Sequence, residues 1–240
     1  MNEKDWLSRT ELLTGKKSLE KLKKSDVLIV GLGGVGSIAA EMICRAGVRS
    51  MTIVDGDVFA STNRNRQIGA LLSTEGLGKA SVISARLMDI NPILQLNVKD
   101  NYFKGDDIPL LLDAPFDYVV DAIDTLTPKV YLLYHCIKKG LKVVSSMGSG
   151  GKINPTLVKI DDISRTNHCD FAYEIRKKLH KLGVYNGITA VYSPEAVSKD
   201  SKRTITNEVN KKSIVGTISY MPALFGCYCA YVVIDHFLTK

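Results

Sequence analysis

Apolar residues follow two different spacings along the first part of the chain. Four short β-branched apolar runs are typical of strands buried on both faces, and they lie at 26–30, 50–54, 116–120 and 141–146. Residues 93–98 alternate apolar and polar side chains, as a half-exposed strand does. Helical spacing follows position 35 and recurs over 79–90 and 128–139. Strands that alternate with helices predict an α/β fold with a mostly parallel sheet.

The pattern changes beyond residue 151. Residues 156–160 and 187–193 predict strands of an antiparallel extension, with a basic helix over 171–182 between them. Residues 194–212 contain few large apolar side chains and are expected to form a mobile loop. The stretch 218–234 is strongly apolar, but Pro222 interrupts it and it is shorter than the ~20 residues of a membrane-spanning helix. We therefore expect this stretch to pack into a core or a dimer interface, with no membrane partner.

A glycine-rich turn joins the first strand to the following helix, and its glycines are Gly31, Gly33, Gly34 and Gly36. Such glycines allow a tight turn, a close approach of the backbone to phosphate, and close packing of helix on strand. Asp55 directly follows the second strand, where a carboxylate can accept ribose hydroxyls. These features predict a Rossmann-like nucleotide fold, but they do not discriminate between NAD and ATP.

The loop after Asp55 and the helix beyond it carry cations that a redox dinucleotide does not need. The relevant polar residues are Asn63, Arg64, Asn65, Arg66 and Lys79. Cations beside a triphosphate stabilise the charge that develops when it is cleaved, although Arg66 and Lys79 taken singly also fit a solvated basic face. Asp124 closes the DAID run that follows the predicted strand 116–120, and it is either a Mg²⁺ ligand or, like Thr125, a candidate cap of the next helix. Together these residues favour a site that cleaves ATP.

Charge and cysteine content narrow the partners and the compartment. The 240 residues carry a formal net charge of +7, which favours an anionic partner, with nucleic acid the leading candidate. The five cysteines form no C-x-x-C pair, so a four-thiolate zinc site is disfavoured. An odd cysteine count without an apolar leader predicts reduced thiols and a cytoplasmic protein.

The glycine turn, Asp55, residues 63–67, Lys79 and the DAID run at 121–124 resemble the adenylation domain of the ubiquitin-activating-enzyme-like (ThiF/MoeB-type) superfamily. Residues 8–15, 145–151 and 155–156 narrow the resemblance to the tRNA threonylcarbamoyladenosine dehydratase branch. The resemblance implies a nucleotide-binding adenylation domain over residues 1–150, with residues 151–240 as an extension of the same domain.

The resemblance also implies a reaction and a set of site residues. ATP would activate the threonylcarbamoyl carboxylate of a modified adenosine in tRNA, and the activated group would then cyclise. Arg9, Arg66, Lys79 and Asp124 would be catalytic, with Asp124 also holding Mg²⁺. The nucleotide would be bound by Gly31, Gly33, Gly34, Gly36, Asp55, Asn63, Asn65, Arg66, Lys79 and Asp124. Arg9 would reach the ATP of a partner subunit, which implies a homodimer.

Several alternatives remain open at this point. An adenylyltransferase for a ubiquitin-like sulfur carrier is the second hypothesis, and a NAD-sensing module without catalysis is the third. A sulfur-transfer protein is a candidate partner beside tRNA. Cys169 is the most plausible reactive thiol, although cyclisation within the substrate needs no catalytic cysteine. Candidate tRNA-phosphate contacts, which a solvated surface explains equally well, are Arg176, Lys177, Lys178, Lys199, Lys202, Arg203, Lys211 and Lys212.

Overall fold

The computed structural model describes residues 6–102, 105, 107–204 and 213–239. Its main feature is a seven-stranded sheet with the order β3-β2-β1-β4-β5-β7-β6. The strands are β1 (Asp26–Val30), β2 (Ser50–Val54), β3 (Gln95–Lys99), β4 (Tyr118–Asp121), β5 (Val143–Ser146), β6 (Lys159–Asp162) and β7 (Thr189–Tyr192). All neighbouring strands are parallel except β6 and β7, which are antiparallel. The predicted α/β fold with a mostly parallel sheet is confirmed.

Two helical layers cover the sheet, because its central strands carry apolar side chains on both faces. Val27 and Ile29 of β1 belong to one core cluster, and Leu28 and Val30 belong to the other. The first face is covered by α2 (Lys16–Lys24), α3 (Gly36–Arg45), α4 (Lys79–Ile90) and α8 (Tyr220–Thr239). The second face is covered by α5 (Asp107–Leu111), α6 (Leu126–Lys138) and α7 (Asp170–Lys181). A further helix, α1 (Ser8–Thr14), packs against α2.

The segment beyond residue 151 extends the same sheet. β7 pairs with β5 in parallel, and β6 then closes that edge in the antiparallel direction. The predicted strand over 156–160 is partly wrong, because Pro155–Leu157 form a 3₁₀ turn and β6 begins only at Lys159. Asn154 caps this turn by accepting the amide of Thr156, and Pro155 stands at its first position.

The region expected to be a mobile loop contains a strand in its described part, and that strand pairs with a strand just beyond the region. β8 (Lys202–Thr204) pairs antiparallel with β9 (Ser213–Val215) to form a separate two-stranded sheet. The backbone of this hairpin is tied to the rest of the chain, since the Gly151 amide donates to the Gly216 carbonyl at 2.7 Å. Residues 205–212 of the expected loop lie outside the described residues.

The C-terminal apolar stretch forms a helix, α8, that packs on α3 and on the sheet. Its buried residues include Met221, Phe225, Cys229 and Val233, which recur at helical spacing. By length and composition alone, this helix of 20 residues could cross a membrane, with mean hydropathy 1.4 over its most apolar window. One face of the helix is instead part of the protein core, as predicted for residues 218–234.

Candidate nucleotide-binding site

The strand order reverses at β1, which pairs with β2 on one side and with β4 on the other. The carboxyl ends of these three strands therefore open into one crevice, where parallel α/β sheets bind ligands. Gly31 follows β1, Asp55 follows β2, and Asp124 lies just after β4. The topology thus brings together three of the site residues that the sequence predicted.

The glycine turn is tight enough to require glycine at two positions. Gly31 has a φ of 91°, and a Cβ there would lie 2.8 Å from the Ala122 carbonyl oxygen of the neighbouring strand end. A Cβ on Gly36 would lie 1.7 Å from the Gly31 carbonyl oxygen. Above Gly33, in contrast, the nearest atom to such a Cβ would be Gln67 Nε2 at 3.7 Å. The backbone is therefore compact below the turn and open above Gly33, as a phosphate-binding loop needs.

Asp55 anchors the turn through both carboxylate oxygens. Oδ2 accepts the Leu32 amide at 2.6 Å, and Oδ1 accepts the Asp57 amide at 2.8 Å. Burial raises the pKa of Asp55 above its ordinary value, and the nearby Lys79 cation opposes that shift. Each oxygen has a further lone pair, so Asp55 can orient the turn and accept ribose hydroxyls together.

Lys79 lies at the start of α4 and is 7% exposed. Its ammonium group donates to Asp57 Oδ2 at 2.8 Å, so this buried cation has a carboxylate partner within the chain. The Tyr102 hydroxyl donates to the other oxygen of Asp57, and this hydrogen bond raises the pKa of Tyr102 to about 12. Sequence reasoning missed Asp57 and Tyr102. The position of Asp57, two residues after Asp55, was the available signal.

The polar loop 63–67 is held by its own side chains. Arg66 Nη1 donates to the Thr62 carbonyl and to Asn65 Oδ1, both at 2.9 Å. Asn65 Nδ2 donates to the Thr217 carbonyl at 2.9 Å, and Asn63 Oδ1 accepts the Ala60 amide at 3.1 Å. An arginine has five N–H donors. The loop contacts therefore orient Arg66 and still leave it donors for phosphate oxygens.

Gln67 ends the 63–67 run that carries the family resemblance, but its sequence pattern suggested no role for it. It is 8% exposed, and its Oε1 has no hydrogen-bond partner among the described residues. Buried polar atoms without partners are rare in folded proteins and mark a place where a ligand or water supplies the contact. Since the amide group of this side chain lies beside Gly33, with Nε2 the nearest atom, the unpartnered Oε1 is a second sign that the crevice is built to hold a ligand.

A buried ion pair supports the segment that carries Asp124. Asp121 and Lys129 are both fully buried, and Lys129 Nζ lies 2.7 Å from Asp121 Oδ2. Ser145 of β5 donates to the same oxygen at 2.6 Å, and Lys129 also donates to the Ile123 carbonyl at 3.0 Å. Because both ends of the 121–123 backbone are held, the position of Asp124 is set by this network.

Asp124 itself is exposed and lies at the mouth of the crevice. The N-cap of α6 is Thr125, so the structure does not support the alternative role of Asp124 as the cap. The negative charges of Asp57, Asp55 and Asp124 all raise the pKa of Tyr102, which shows that these carboxylates converge on one region. Exposed carboxylates beside a phosphate-binding turn are suitable oxygen ligands for Mg²⁺. Among the described residues, no cluster of three or more His, Cys, Asp or Glu side chains forms a metal site by itself.

Arg9 is not brought into the crevice of its own chain. It is an exposed residue of α1, two positions after Leu7, whose side chain lies against Gly47. Gly47 follows the end of α3, whereas the crevice lies at the start of that helix. A helix rises about 1.5 Å per residue, so α3 separates the two regions by its own length.

The remaining predicted residues fall outside the crevice or outside the described side chains. Cys169 is buried at the N-cap of α7, so it is not an exposed thiol. Arg176 donates to the Thr166 hydroxyl and to the Ile163 carbonyl, whereas Lys177 and Lys178 are exposed. Nothing is described for the side chains of Lys199, Lys202, Arg203, Lys211 and Lys212.

The fold and the crevice define a nucleotide-binding protein of the adenylating class. The sequence profile of the ThiF family matches residues 7–240, and the chain belongs to this family. It is 37% identical over 236 residues to the tRNA threonylcarbamoyladenosine dehydratase of Bacillus subtilis. This alignment covers 95% of this chain and 93% of the relative. It is 34% identical to the Escherichia coli enzyme of that name, over 96% and 91% of the two chains.

Solved structures agree with these relatives. The structure of the E. coli dehydratase TcdA in complex with ATP superposes with a TM-score of 0.90 at 30% identity, over 99% of this chain and 95% of that one. The similarity to sulfur-carrier enzymes is only partial. The adenylyltransferase and sulfurtransferase MOCS3 of Dictyostelium discoideum is 31% identical over 52% of this chain and 29% of its own length.

Proposed function

We propose that this protein is an ATP-dependent tRNA threonylcarbamoyladenosine dehydratase. One observation carries the proposal: Asp55, Lys79 and Asp124 converge on an open glycine turn in a chain that superposes almost completely on a dehydratase bound to ATP. The likeness to sulfur-carrier adenylyltransferases extends over about half of the chain and does not favour that second hypothesis. A NAD-sensing module would need neither the cations nor the exposed carboxylate.

The chemistry needs two steps, and the residues suit both. In the first step, a carboxylate oxygen of the threonylcarbamoyl group attacks the α-phosphorus of ATP, the bond to pyrophosphate breaks, and an acyl-adenylate forms. Lys79 and Arg66 would stabilise the negative charge that develops on the phosphates. In the second step, an atom of the same substituent attacks the activated carbonyl carbon and AMP leaves. The AMP carries away the carboxylate oxygen and the attacking atom gives up its proton to solvent, so relative to the free acid the nucleoside loses the elements of one water.

Ring closure within one substituent places little demand on the protein. The attacking atom and the carbonyl carbon belong to the same substituent, so the step is intramolecular and its entropic barrier is small. A cysteine that forms a thioester is therefore unnecessary, and Cys169 lies buried at the end of a helix. The role left to the chain is to hold the nucleotide and the carboxylate in line and to exclude water from the adenylate.

Mg²⁺ is the second group that the site fits. Asp124 would hold the ion, which when bound neutralises phosphate charge and orients the phosphate oxygens. The network of Asp121, Lys129 and Ser145 supports this role, because it sets the backbone from which the Asp124 carboxylate extends.

We also propose that the protein is a homodimer whose partner subunit supplies Arg9 to the site. Two features of α1 support this. Arg9 lies away from the crevice of its own chain, and Leu12 and Leu13 on the same helix are 89% and 87% exposed. Exposed large apolar side chains side by side are typical of a surface that a partner covers. If a second copy of the chain packs on α1, Arg9 of this chain would reach the nucleotide bound by that copy.

The proposed activity implies tRNA as the substrate and a cytoplasmic location. The net charge of +7 suits a polyanionic substrate, and all five cysteines are free thiols, as expected in a reducing compartment. A sulfur-transfer protein stays a candidate partner, tested by co-purification from cells.

Mass spectrometry of nucleosides tests the function directly. Purified protein is incubated with ATP, Mg²⁺ and tRNA that carries threonylcarbamoyladenosine, and the tRNA is then digested. We expect the modified nucleoside to lose one water only when ATP is present. Release of pyrophosphate with a carrier protein ending in Gly-Gly, and none with tRNA, would reject the proposal in favour of the sulfur-carrier activity. Tight binding of NAD without binding of ATP would reject both.

Asp124→Ala provides the matched test of the metal role. Because Asp124 is exposed and Thr125, rather than Asp124, stands at the N-cap position of α6, we expect the variant to fold and to keep its circular dichroism spectrum. We expect water loss to fall by at least about a hundredfold, the scale on which a lost phosphate-stabilising group acts. Asp113→Ala, an exposed acid beside Lys139, is the control and should keep full activity. Full activity in Asp124→Ala would remove this residue from the mechanism.

A further inference from the structure

A groove of about 260 Å³ separates α6 from α7 on the outer surface of the protein. One wall is formed by Thr127, Val130 and Tyr131 of α6. The other is formed by Lys178 and Lys181 of α7 with Leu182, the residue after that helix. Thr127 lies three residues beyond Asp124 along the chain. Three residues of chain span at most about 11 Å, so the Thr127 end of the groove lies near the mouth of the nucleotide crevice.

The two walls differ in chemistry. Lys178 and Lys181 are exposed and stand three residues apart, so they project from the same side of α7. Tyr131 on the opposite wall is 42% exposed and offers part of its ring. Glu174, half-buried one turn before Lys178, is the nearest acid in sequence on that helix. Proteins bind single-stranded nucleic acid with this combination of cations and an exposed aromatic ring.

Other basic residues of α7 do not have this arrangement. Arg176 lies on the other flank of the helix, where its guanidinium contacts Thr166 and the Ile163 carbonyl. Lys177 is exposed but does not line the groove. Arg176 therefore holds a neighbouring turn, whereas Lys178 and Lys181 line the groove. The groove is thus a better indicator of a binding surface than the basic composition of α7.

We propose that the groove between α6 and α7 binds a single-stranded segment of RNA next to the nucleotide that reacts. Lys178 and Lys181 contact backbone phosphates, and one base stacks on Tyr131. This inference rests on the proposed function, since it places the strand that flanks the modified adenosine. It commits to RNA because the lysines complement phosphate charge and the tyrosine offers a stacking surface, whereas an acidic peptide would leave the ring without a role.

The salt dependence of binding measures the phosphate contacts. The probe is a synthetic RNA stem-loop with the sequence of an anticodon arm, and binding is followed by fluorescence anisotropy at several salt concentrations. In Lys178→Ala/Lys181→Ala, we expect the negative slope of log affinity against log salt to become shallower by about 1.4, because each single-strand phosphate contact contributes about 0.7 to its magnitude. The control is Lys16→Ala/Lys17→Ala on α2, which removes the same charge from exposed positions elsewhere and should keep the slope.

Two tyrosine variants measure the stacking contact. Tyr131→Ala should weaken binding of the stem-loop by at least about fivefold, whereas Tyr131→Phe keeps the ring and should bind like the wild type. Equal slopes for both lysine pairs, or equal weakening by Tyr131→Ala and Tyr131→Phe, would overturn the groove as the binding surface.

The outcome separates this inference from the proposed function. Wild-type water loss from the modified nucleoside tests the function and does not depend on the groove variants. If the wild type dehydrates the nucleoside and the groove variants bind the stem-loop with unchanged slope and affinity, the function stands and the groove proposal fails. If the wild type dehydrates no tRNA, the function fails first. In the supporting case, the KM for tRNA rises in the lysine variant while the affinity for ATP is unchanged.

Discussion

Asp55 shows how one buried carboxylate can serve both the fold and the ligand. Its two oxygens hold the amides of Leu32 and Asp57, and burial raises its pKa. A raised carboxyl pKa in the folded state means that the ionised form is disfavoured there relative to the unfolded chain. The ionised group therefore costs stability above its folded pKa, and this cost disappears as the pH falls through that pKa. Ligand binding has the opposite dependence, because an ionised Asp55 accepts hydroxyls best.

This opposition predicts the pH dependence of ATP binding. An ordinary Asp has a pKa of about 3.9. Because the pKa of Asp55 is raised, the affinity for ATP should begin to decline at a higher pH than an ordinary Asp would give. Isothermal titration of ATP between about pH 4 and pH 7 would show this acid limb. Asp55→Asn should bind ATP more weakly at neutral pH and lose the limb, while Asp113→Asn should keep it. An unchanged limb in Asp55→Asn would assign the titration to another group.

Single residues of the site were predicted to different degrees from the sequence. The sequence predicted Asp55, Lys79 and Asp124 because each has a fixed relation to a strand or helix end. Asp57 and Tyr102 were not predicted, and Gln67 was named in the 63–67 run without a role, because the roles of all three depend on contacts across the crevice. Tyr102 is distant in sequence from the Asp57 that it contacts, and no local pattern reports that pair.

At the scale of elements, the packing of α8 on α3 controls the geometry of the glycine turn. A Cβ on Gly226 of α8 would lie 2.5 Å from the Val35 carbonyl oxygen and 2.8 Å from Ile38 Cβ. A Cβ on Gly34 would lie 2.8 Å from Pro222 of the same helix. The C-terminal helix therefore touches the back of the phosphate loop, and the two glycines allow that approach.

Gly226→Ala tests this coupling. The added methyl group should push α8 away from Val35 and destabilise the protein by about 1–3 kcal/mol, as overpacked cores do. Thermal unfolding would measure the loss, and titration of the folded variant should show weaker ATP binding because Val35 belongs to the turn. Cys227→Ala, at the exposed neighbouring position, is the control and should change neither quantity. Wild-type stability in Gly226→Ala would show that the helices can separate without cost.

The strands and helices predicted best are those with the simplest burial. β1 and β2 begin and end at the residues that the apolar runs predicted, and α4 spans the predicted 79–90. The two strands are buried on both faces, and α4 ends at Asn91-Pro92, so the local sequence is enough to predict their bounds. The helices α1, α2 and α5 were not predicted. The first two are short: α1 has no buried residue and α2 buries only Leu19 and Leu22, so their apolar pattern is too sparse to define a helix.

At the scale of the whole molecule, the position of Arg9 decides whether the site is complete within one chain. Arg9 lies on α1 near the far end of α3, away from the crevice. If a partner supplies it, a mixture of inactive Arg9→Ala and inactive Asp124→Ala chains should regain activity. In each mixed dimer, one site has both an intact Asp124 and an intact Arg9 from the other chain. Random pairing should restore roughly a quarter of wild-type sites, since half of the dimers are mixed.

Water loss from the modified nucleoside measures this recovery after the two variants are unfolded and refolded together. Each variant refolded alone is the control and should remain inactive. If Arg9 acted on the ATP of its own chain, the mixture would also stay inactive, because no chain would then have both residues. The size of the species in light scattering gives the oligomeric state independently of activity.

The sequence by itself determined the parallel α/β fold, the glycine turn and the acid that follows β2, because these depend on local spacing and on residue types at strand ends. Its motifs also predicted a triphosphate site rather than a redox one. Only the tertiary structure decided how the site is assembled. The reversal of strand order at β1 brings Asp55 and Asp124 to one crevice, Lys129 reaches back to Asp121, and α8 closes behind Gly34. These contacts join residues far apart in the chain, and their geometry follows from packing, which no local pattern contains.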